Sequence, residues 1–474
     1  MSDAPPDLGR SWWLREALAR PEFAGPPCPP LAEDTTADVV ILGGGYTGMW
    51  TAWFLTERNP SLDIVLLEQD ICGGGPSGRN GGFCDGWWGH VRDLVHLFGE
   101  EGALDLLMQV GRSPSEIGAW CAANGVDTWF RMEGDLAVAA ADARPDLWDD
   151  MLALAERLGI GDEYEVLDLG RVRERVRSPA FGPALLIRDA SNVQPARLAR
   201  GLRNALLQRG VRIYEQTAVT RFGFAKPAIA ETPGGTVRAA EAVIALGAWA
   251  TWWKAFKPFL TVRGSYMVVT EPIPELLEQI GWTGGENVRD LRASVHYLRT
   301  TADGRIAMGL GGLQPDLARS IDPRYAYHEP SVRRVATDLV AMFPELDGVR
   351  IDAGWGGPIN VSGFSLPFFG TLEPGNVHYG LGYTGNGVGP SHLGGKICAA
   401  LAVHADDGFT RMPLVTREPK RFPPEPIRSP GMLVANRAIM RYDDARVAGH
   451  APDPLTRTVA TLPRRLGFHL GPRP

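Results

Sequence analysis

The clearest hydrophobic pattern near the start of the chain is a short apolar run at residues 39–42 that ends at a cluster of glycines. An unbroken apolar run of this length before a turn is typical of a buried parallel strand. Helical spacing follows through Trp50 to Glu57, and a second apolar run occupies Ile64–Leu67. The pattern therefore predicts a strand–helix–strand unit of parallel topology.

Three glycines connect the first strand to the helix at the spacing G-x-G-x-x-G. Gly43 allows the tight turn, Gly45 lets the backbone approach a pyrophosphate, and Gly48 lets the helix pack on the strand. The start of that helix favours an anion. Glu68 ends the second strand, where a carboxylate can accept hydrogen bonds from the ribose hydroxyls of an adenosine. All these features fall within about thirty residues, so they predict a dinucleotide site.

Later segments show both helical spacing and strand alternation. Helices are predicted at 94–124, 144–158, 196–209 and 331–342, and a strand or hairpin at 128–140. Period-two alternation at 265–270, 295–300 and 305–309 predicts a mixed or antiparallel sheet. Further strands are predicted at 184–188, 211–215, 241–247 and 378–381, with a turn at 189–195 and a helix from the glycine-rich turn at 382–389 through about Leu401. These elements predict an α/β fold in which a Rossmann-type dinucleotide domain is interleaved with an α+β substrate domain.

The interleaving predicts a discontinuous domain organisation. We expect an N-terminal arm at 1–36, a dinucleotide-binding domain made of 37–95, 186–252 and 371–410, a substrate domain made of 96–185 and 253–370, and a C-terminal tail at 411–474.

Composition narrows the class of protein. Of 474 residues, 44% are apolar, which is enough for sizeable cores, and the net charge of −7 argues against a nucleic-acid partner. The five cysteines are widely spaced without a C-x-x-C pair, so we expect neither a disulfide framework nor a zinc site. No apolar run reaches the ~20 residues that span a bilayer. We therefore expect a cytoplasmic globular protein with no membrane partner and no metal.

A second glycine-rich loop, GGGPSGRNGGF at residues 73–83, follows the ribose-binding acid. A nicotinamide enzyme has no use for such a loop. A flavin enzyme does, because the isoalloxazine ring must lie against backbone with little side-chain bulk between.

With this loop the chain resembles the D-amino-acid-oxidase-like family of FAD oxidoreductases, which includes glycine oxidase, sarcosine oxidase and the gamma-glutamylputrescine oxidases. The motif S-G-R-N-G-G at 77–82 is most similar to the last branch, and the resemblance runs from about Ser11 to about Gly431. It implies FAD as the cofactor. Sarcosine-oxidase-like enzymes attach the flavin through a cysteine, whereas Cys398 here lies within a predicted helix, so we expect non-covalent FAD.

The resemblance also implies a set of cofactor-binding positions. They come from the first glycine motif, the ribose acid, the second glycine loop, the strand ends near 219 and 247, and the glycine turn after 381, whose helix faces the flavin N1 and C2 carbonyl. The set is Gly43, Gly45, Tyr46, Thr47, Gly48, Glu68, Gln69, Gly75, Ser77, Gly78, Arg79, Asn80, Gly81, Gly82, Val219, Gly247, Trp249, Gly382, Tyr383, Gly385, Asn386, Gly387 and Val388.

The chemistry that the resemblance implies is oxidation of a C–N bond. A neutral amine or amino acid gives a hydride to flavin N5, the imine hydrolyses, and oxygen reoxidises the flavin to give H2O2. The buried lysine that sarcosine-oxidase-like enzymes use for oxygen has no counterpart at 297–312. Two alternatives stay open: a dehydrogenase with another electron acceptor, and a non-catalytic FAD-binding subunit of a larger assembly. An oligomer is possible in each case.

Candidate catalytic and substrate-binding residues follow from the same segments. Arg79 and Asn80 should lie beside the flavin, where a cation favours negative charge on the ring. Aromatic side chains that should converge on the opposite face can pack an alkylamine. Arg299 is the candidate for a substrate carboxylate, and an equally good structural arginine. His90 and His392 could titrate near neutrality. The expected catalytic set is Arg79, Asn80, Tyr266 and Arg299, and the substrate set is Tyr266, Tyr297, Arg299, Trp355 and Tyr383.

Overall fold

The secondary structure is taken from a computed structural model that describes residues 10–140, 146–313, 320–447 and 449–472. The strands are β1 Thr35–Leu42, β2 Ile64–Leu67, β3 Phe83–Asp85, β4 Asp135–Val138, β5 Tyr164–Leu167, β6 Ala184–Ile187, β7 Ala190–Asn192, β8 Arg212–Tyr214, β9 Arg221–Gly223, β10 Ala228–Thr232, β11 Gly235–Ile244, β12 Leu260–Thr270, β13 Asn287–Asp290, β14 His296–Thr300, β15 Ile306–Leu313, β16 Ile351–Ser362, β17 Phe368–Leu372 and β18 Val377–Leu381.

Some of the helices cover the two sheets, and others belong to the two ends of the chain. They are α1 Trp12–Leu18, α2 Pro21–Ala24, α3 Tyr46–Arg58, α4 Val91–Gly111, α5 Ser113–Ala123, α6 Asp149–Arg157, α7 Leu169–Arg175, α8 Pro195–Gln208, α9 Pro274–Gln279, α10 Glu329–Met342, α11 Val388–Ala402, α12 Pro413–Thr416, α13 Arg428–Val447 and α14 Pro454–Arg465.

The first sheet has the order β17-β18-β11-β1-β2-β8, with β10 and β9 added beside β11. The pairs from β18 to β8 are parallel, and the apolar residues 39–42 of β1 are buried between β11 and β2. Helices α3 and α11 pack against each other on one face of this sheet. A strand whose residues are all apolar is typical of a position in which both faces of the sheet are buried. The structure confirms the predicted strand–helix–strand unit.

The second sheet has the order β16-β12-β15-β14-β13-β4-β6-β5. Its pairs are antiparallel except for β4 with β13, so the sheet is mixed, as predicted. Helix α10 covers one face of this sheet through Val335 and Leu339. The other face is turned towards the glycine-rich loops of the first sheet. The predicted fold class, a Rossmann-type α/β unit interleaved with an α+β unit, is confirmed.

Strands of the two sheets alternate along the chain. The first sheet takes strands from 35–67, 212–244 and 368–381, whereas the second takes them from 135–187 and 260–362. The domain boundaries proposed from the sequence stay a prediction.

Several local elements differ from the sequence expectation. The predicted turn at 189–195 contains the short strand β7, which pairs with β3 in an antiparallel two-stranded sheet. The predicted helix at 94–124 is two helices, and Gly99 interrupts the first of them at a left-handed φ of 73°. Residues 128–134 form no strand apart from one bridge of Arg131 with Asn192. The start of the helix predicted at 144–158 lies outside the described residues, and α6 begins at Asp149.

Both ends of the chain pack on the body. Trp13 of α1 is fully buried beside Trp355 of β16, with ring centroids 6.1 Å apart. At the other end Asp443 of α13 accepts hydrogen bonds from Ser294 and Ala293 at the end of the second sheet. None of the helices in the described parts of the chain combines the length and apolar character needed to cross a membrane. The five cysteines are all free and buried.

Candidate functional site

A large cavity joins the two sheets. Its volume is about 1950 Å³, which exceeds the roughly 300–1,000 Å³ of an ordinary small-molecule pocket. One end lies at the carboxyl ends of the parallel strands of the first sheet, where ligands of doubly wound folds bind. The other end runs along the free face of the second sheet. A cavity of this size and shape has room for a dinucleotide and a second, smaller molecule.

The dinucleotide end of the cavity contains the first glycine motif and Glu68. The Glu68 carboxylate accepts hydrogen bonds from the backbone N–H groups of Gly44 (2.8 Å) and Asp70 (2.9 Å). Burial raises the pKa of this carboxyl group to about 7, although the two N–H donors act in the opposite direction. A carboxylate held in this way can accept further hydrogen bonds from the hydroxyls of a ribose.

Most of the predicted cofactor-binding residues line this cavity. They are Gly43, Gly45, Tyr46, Thr47, Glu68, Gln69, Gly75, Ser77, Arg79, Asn80, Gly81, Val219, Gly247, Trp249, Tyr383, Gly385, Asn386, Gly387 and Val388. Gly48, Gly78, Gly82 and Gly382 lie behind the lining. A Cβ on Gly48 would lie 2.1 Å from the Gly43 carbonyl oxygen, and Gly78 and Gly82 meet backbone equally closely. Their role is close packing of the loops.

The second glycine loop is braced by its own polar residues. Arg79 donates from Nε to the Gly74 carbonyl (2.8 Å) and from Nη1 to the Gly356 carbonyl (3.2 Å). Asn80 accepts from the Gly82 N–H (2.7 Å) and donates to the Ser77 carbonyl (2.9 Å). Burial lowers the pKa of Arg79 to about 10, which still leaves it charged at neutral pH. The loop therefore presents one cation and little bulk to the cavity.

Two of the predicted aromatic residues reach the cavity. Tyr297 of β14 lies beside Gly81, and its hydroxyl is 2.7 Å from Ser265 Oγ on β12. Tyr383 lies in the last glycine turn, and its hydroxyl is 3.0 Å from Thr47 Oγ1. These hydrogen bonds hold both rings in place. Both rings belong to the lining of the cavity, Tyr297 on the second sheet and Tyr383 in the last glycine turn.

The structure places Tyr266, Trp355 and Arg299 outside the cavity lining. Tyr266 faces α10, and its hydroxyl donates to the Arg324 carbonyl (2.8 Å). Trp355 donates from Nε1 to the Arg79 carbonyl (2.9 Å) and packs on α1. Arg299 is buried and donates to the backbone carbonyls of Val193 and Thr300. Tyr266 lies on the covered face of the sheet, and the other two lie where the N-terminal arm covers it.

The two histidines considered from the sequence differ in position. His90 lines the cavity, and burial lowers its pKa. His392 of α11 packs against Trp50 and Phe54 of α3, and burial lowers its pKa to about 3. His392 is therefore neutral throughout the physiological range and belongs to the core of the fold.

Sequence reasoning missed Arg263 of β12, which lines the cavity two residues before Ser265. Its Nε and Nη2 atoms are buried, and its side chain has no hydrogen bond or ion pair among the described residues. Burial lowers its pKa to about 10. Period-two alternation puts residues 263, 265 and 267 on one face of the strand, so the sequence did carry a signal for Arg263.

The C-terminal tail also contributes to the lining of the cavity. Tyr442 and Arg446 of α13 and Leu470 after α14 belong to the lining. His469 holds this segment against the body, because its N–H donates to the Gly363 carbonyl (2.9 Å) and its carbonyl accepts from Ser365 Oγ (2.7 Å). No pattern in residues 411–474 indicates that the tail reaches the cavity.

Comparison with known proteins agrees with this geometry. The family model for FAD dependent oxidoreductases matches residues 38–401. The gamma-glutamylputrescine oxidoreductase of Escherichia coli is 31% identical over 397 residues, which cover 82% of this chain and 89% of that protein. The glycine oxidase structure from Geobacillus kaustophilus superposes with a TM-score of 0.65 at 21% identity, covering 81% of this chain and 99% of that one.

A human mitochondrial sarcosine dehydrogenase is 26% identical over 331 residues, which cover 66% of this chain and 33% of that protein. An L-proline dehydrogenase structure from P. horikoshii has a TM-score of 0.63 at 20% identity, covering 81% of this chain and 96% of that one. The chain belongs to the FAD-dependent oxidoreductase family. It is an oxidoreductase, and FAD is its cofactor.

The raised pKa of Glu68 predicts how FAD binding depends on pH. Only the ionised carboxylate can accept from both ribose hydroxyls while it holds two N–H donors, so protonation below a pKa of about 7 should weaken binding. We expect the affinity of the FAD-free protein for FAD to fall roughly tenfold between pH 8 and pH 6. Fluorescence titration measures this change. Glu68→Gln should bind more weakly at pH 8 and should show no slope; an equal slope in both proteins would contradict this role.

Proposed function

We propose that this enzyme oxidises the C–N bond of a small amine or amino acid, with FAD bound non-covalently along the glycine motifs. The observation that supports the proposal most strongly is the continuous cavity, which extends from the dinucleotide end, past the second glycine loop, to Tyr297 and Ser265 on the second sheet. Similarity to the gamma-glutamylputrescine oxidoreductase supports the substrate class.

FAD, when bound, supplies the hydride acceptor at its N5 atom. The chain supplies position and electrostatics. Gly45 and the N-terminus of α3 would hold the pyrophosphate, and Glu68 would hold the ribose. The second glycine loop and the N-terminus of α11 would hold the ring between them. Tyr297 would pack on the carbon chain of the amine. The hydrogen bond between the Tyr297 hydroxyl and Ser265 Oγ fixes the tyrosine ring in the required orientation.

The charges of the cavity favour a neutral amine as the reacting form. Arg79 of the second glycine loop and Arg263 of β12 both line the cavity. Each remains cationic at neutral pH, since burial lowers its pKa only to about 10. Two fixed cations disfavour an ammonium group nearby. The same two cations stabilise negative charge that develops on the acceptor during the transfer.

We propose oxygen as the electron acceptor, with H2O2 as the product. A second candidate, transfer to another acceptor, is favoured by one observation: no lysine belongs to the lining of the cavity in the described parts of the chain. The similarity to sarcosine and L-proline dehydrogenases also favours transfer to an acceptor other than oxygen.

An anaerobic titration tests the proposal. We expect the visible flavin band of the purified holoprotein to bleach under nitrogen with one member of a panel of amines and amino acids. On admission of air, recovery within seconds together with peroxide would identify an oxidase, and slow recovery would identify a dehydrogenase. A flavin band that survives a broad panel, while dithionite still bleaches it, would contradict the proposed activity and favour a non-catalytic subunit.

A further inference from the structure

A second group of chemically reactive side chains lies outside the cavity. It consists of Glu241 on β11, His378 on β18 and His404 two residues after the end of α11. None of the three lines the cavity. Glu241 is more than a hundred residues from both histidines in the sequence, so the fold brings the three side chains together. The proposed enzyme activity does not use them.

The three side chains converge through the atoms that bind metal ions. His378 Nε2 lies 3.0 Å from Glu241 Oε2, and His404 Nε2 lies 2.9 Å from Glu241 Oε1. One donor atom from each residue falls within 4.8 Å of the other two. Ligands at bond lengths of 2.0–2.1 Å around a tetrahedral ion are about 3.3 Å apart. The three ligand atoms lie within 4.8 Å of one another, so binding an ion requires a movement of up to about 1.5 Å, which the exposed ring of His404 can supply.

Two of the ligands are held rigidly. Strands β11 and β18 are hydrogen-bonded neighbours, with Ala242 paired to Val377 and Val243 paired to His378. The His378 ring is 1% exposed, and its Nδ1 lies 2.9 Å from Thr371 Oγ1 on the adjoining strand β17. A hydrogen bond at the second ring nitrogen orients a metal-binding imidazole and is a regular companion of such sites.

The third ligand leaves the site open to solvent. The His404 side chain is 58% exposed. Its backbone has a left-handed φ of 51°, which residues other than glycine seldom adopt. This conformation ends α11 and turns the ring back towards Glu241. An ion bound here would have three protein ligands and a solvent position, and it could enter without any movement of the sheet.

We propose that Glu241, His378 and His404 form a binding site for one divalent transition-metal ion of the Zn²⁺ type. Two imidazoles and one carboxylate are the ligands that borderline ions prefer, in contrast to the all-oxygen sets of Ca²⁺ and Mg²⁺. The ion would tie the end of α11, whose beginning faces the cavity, to the central strands of the first sheet. Its role is structural, and it is independent of the proposed amine oxidation.

Zinc titration of the holoprotein after EDTA treatment tests the site. We expect calorimetry to show one Zn²⁺ per chain in the wild type and binding weaker by roughly tenfold or more in His404→Asn. Asparagine tolerates a left-handed backbone, so this variant keeps the turn. The matched control is His450→Asn, which removes another exposed histidine that has no side-chain partner among the described residues. The control should bind as the wild type does.

A second variant separates metal binding from ordinary hydrogen bonding. Glu241→Gln keeps a polar partner for both rings but removes the anionic ligand, so we expect it to lose both zinc binding and the zinc-dependent rise in melting temperature. X-ray absorption at the zinc edge should show two imidazole ligands in the wild type. Equal binding by the wild type and His404→Asn, or no binding by either, would overturn the proposal and leave a hydrogen-bonded triad. The flavin band should be unchanged throughout.

Discussion

Replacing Gly45 with alanine is expected to weaken FAD binding and leave the fold intact. Gly45 has an extended backbone with a φ of −82°, so alanine can adopt its conformation without strain. A Cβ at this position would meet only Ser77 Oγ, at 3.2 Å. The added methyl group would therefore project into the cavity that Gly45 lines, where the pyrophosphate must approach the backbone.

We expect the affinity for FAD to fall by at least roughly tenfold, which corresponds to about 1.4 kcal/mol, and the FAD-free melting temperature to stay within a few degrees of the wild type. Titration of the FAD-free protein with FAD measures the first quantity, and differential scanning fluorimetry measures the second. Gly408→Ala is the matched control, because this exposed glycine has no heavy atom within 4 Å of the added methyl group. Normal FAD affinity in Gly45→Ala would show that the pyrophosphate does not approach here.

Gly48→Ala provides the contrast within the same motif. A Cβ there would lie 2.1 Å from the Gly43 carbonyl oxygen and 3.2 Å from Ile41. Neither can move without displacing α3 from β1. We expect this variant to have both a lower melting temperature and a lower affinity for FAD. Comparison of the two variants therefore distinguishes a glycine needed for ligand approach from one needed for packing.

The parts of the site that the sequence predicts well are those whose function depends on local chain geometry. The turn at Gly43, the acid at the end of β2 and the glycine loop before β3 all lie within one stretch of about fifty residues. Their conformation is determined by nearest neighbours and by burial of β1 and β2. A motif of this kind fixes both the elements and their mutual position, so both could be read before the structure was known.

The substrate side is different, because the residues there are positioned by long-range packing. Alternation in β12 shows that Tyr266 and Ser265 point to opposite faces, but it does not show which face the cavity touches. Helix α10 decides this, because it covers the Tyr266 face of the sheet through Val335 and Leu339. No pattern in β12 itself contains the position of α10.

The N-terminal arm has a similar effect on Arg299 and Trp355. Arg299 shares the strand face of Tyr297 but lies two residues further along β14, and its guanidinium is 5.6 Å from the Trp13 ring. Trp355 meets the same tryptophan. Packing of α1 therefore closes this part of the sheet and converts two candidate substrate ligands into core residues. No local pattern in β14 or β16 indicates that a short helix from the start of the chain packs on them.

Replacing Arg263 with methionine is expected to stabilise the FAD-free protein and to impair the holoprotein. A buried cation without a partner carries an uncompensated desolvation penalty. Arg263 has two buried nitrogen atoms and no partner among the described residues. Methionine has a similar length, no charge and a flexible chain that can fill the space. We expect the free energy of unfolding of the FAD-free protein to rise by about 1–4 kcal/mol.

A bound anion, or negative charge that develops during the reaction, would compensate this desolvation penalty. In the holoprotein, we expect the methionine variant to show flavin reduction by the amine substrate slowed roughly tenfold to a hundredfold, since the cation no longer stabilises negative charge in the cavity. Stopped-flow absorbance under nitrogen measures this rate. The midpoint potential of the bound flavin should become more negative if Arg263 acts on the ring, and should stay constant if it acts on the substrate.

Arg446→Met is the matched control for this pair of measurements. Arg446 also lines the cavity and also lacks a partner among the described residues, but it is exposed at the outer end. A solvated guanidinium carries no desolvation penalty, so its removal should leave the melting temperature within about a degree and the rate of flavin reduction within about twofold of the wild type. If the Arg263 and Arg446 variants behave alike, burial is not the reason for the effect. If Arg263→Met melts lower than the wild type, the guanidinium is compensated in the fold and does not wait for a ligand.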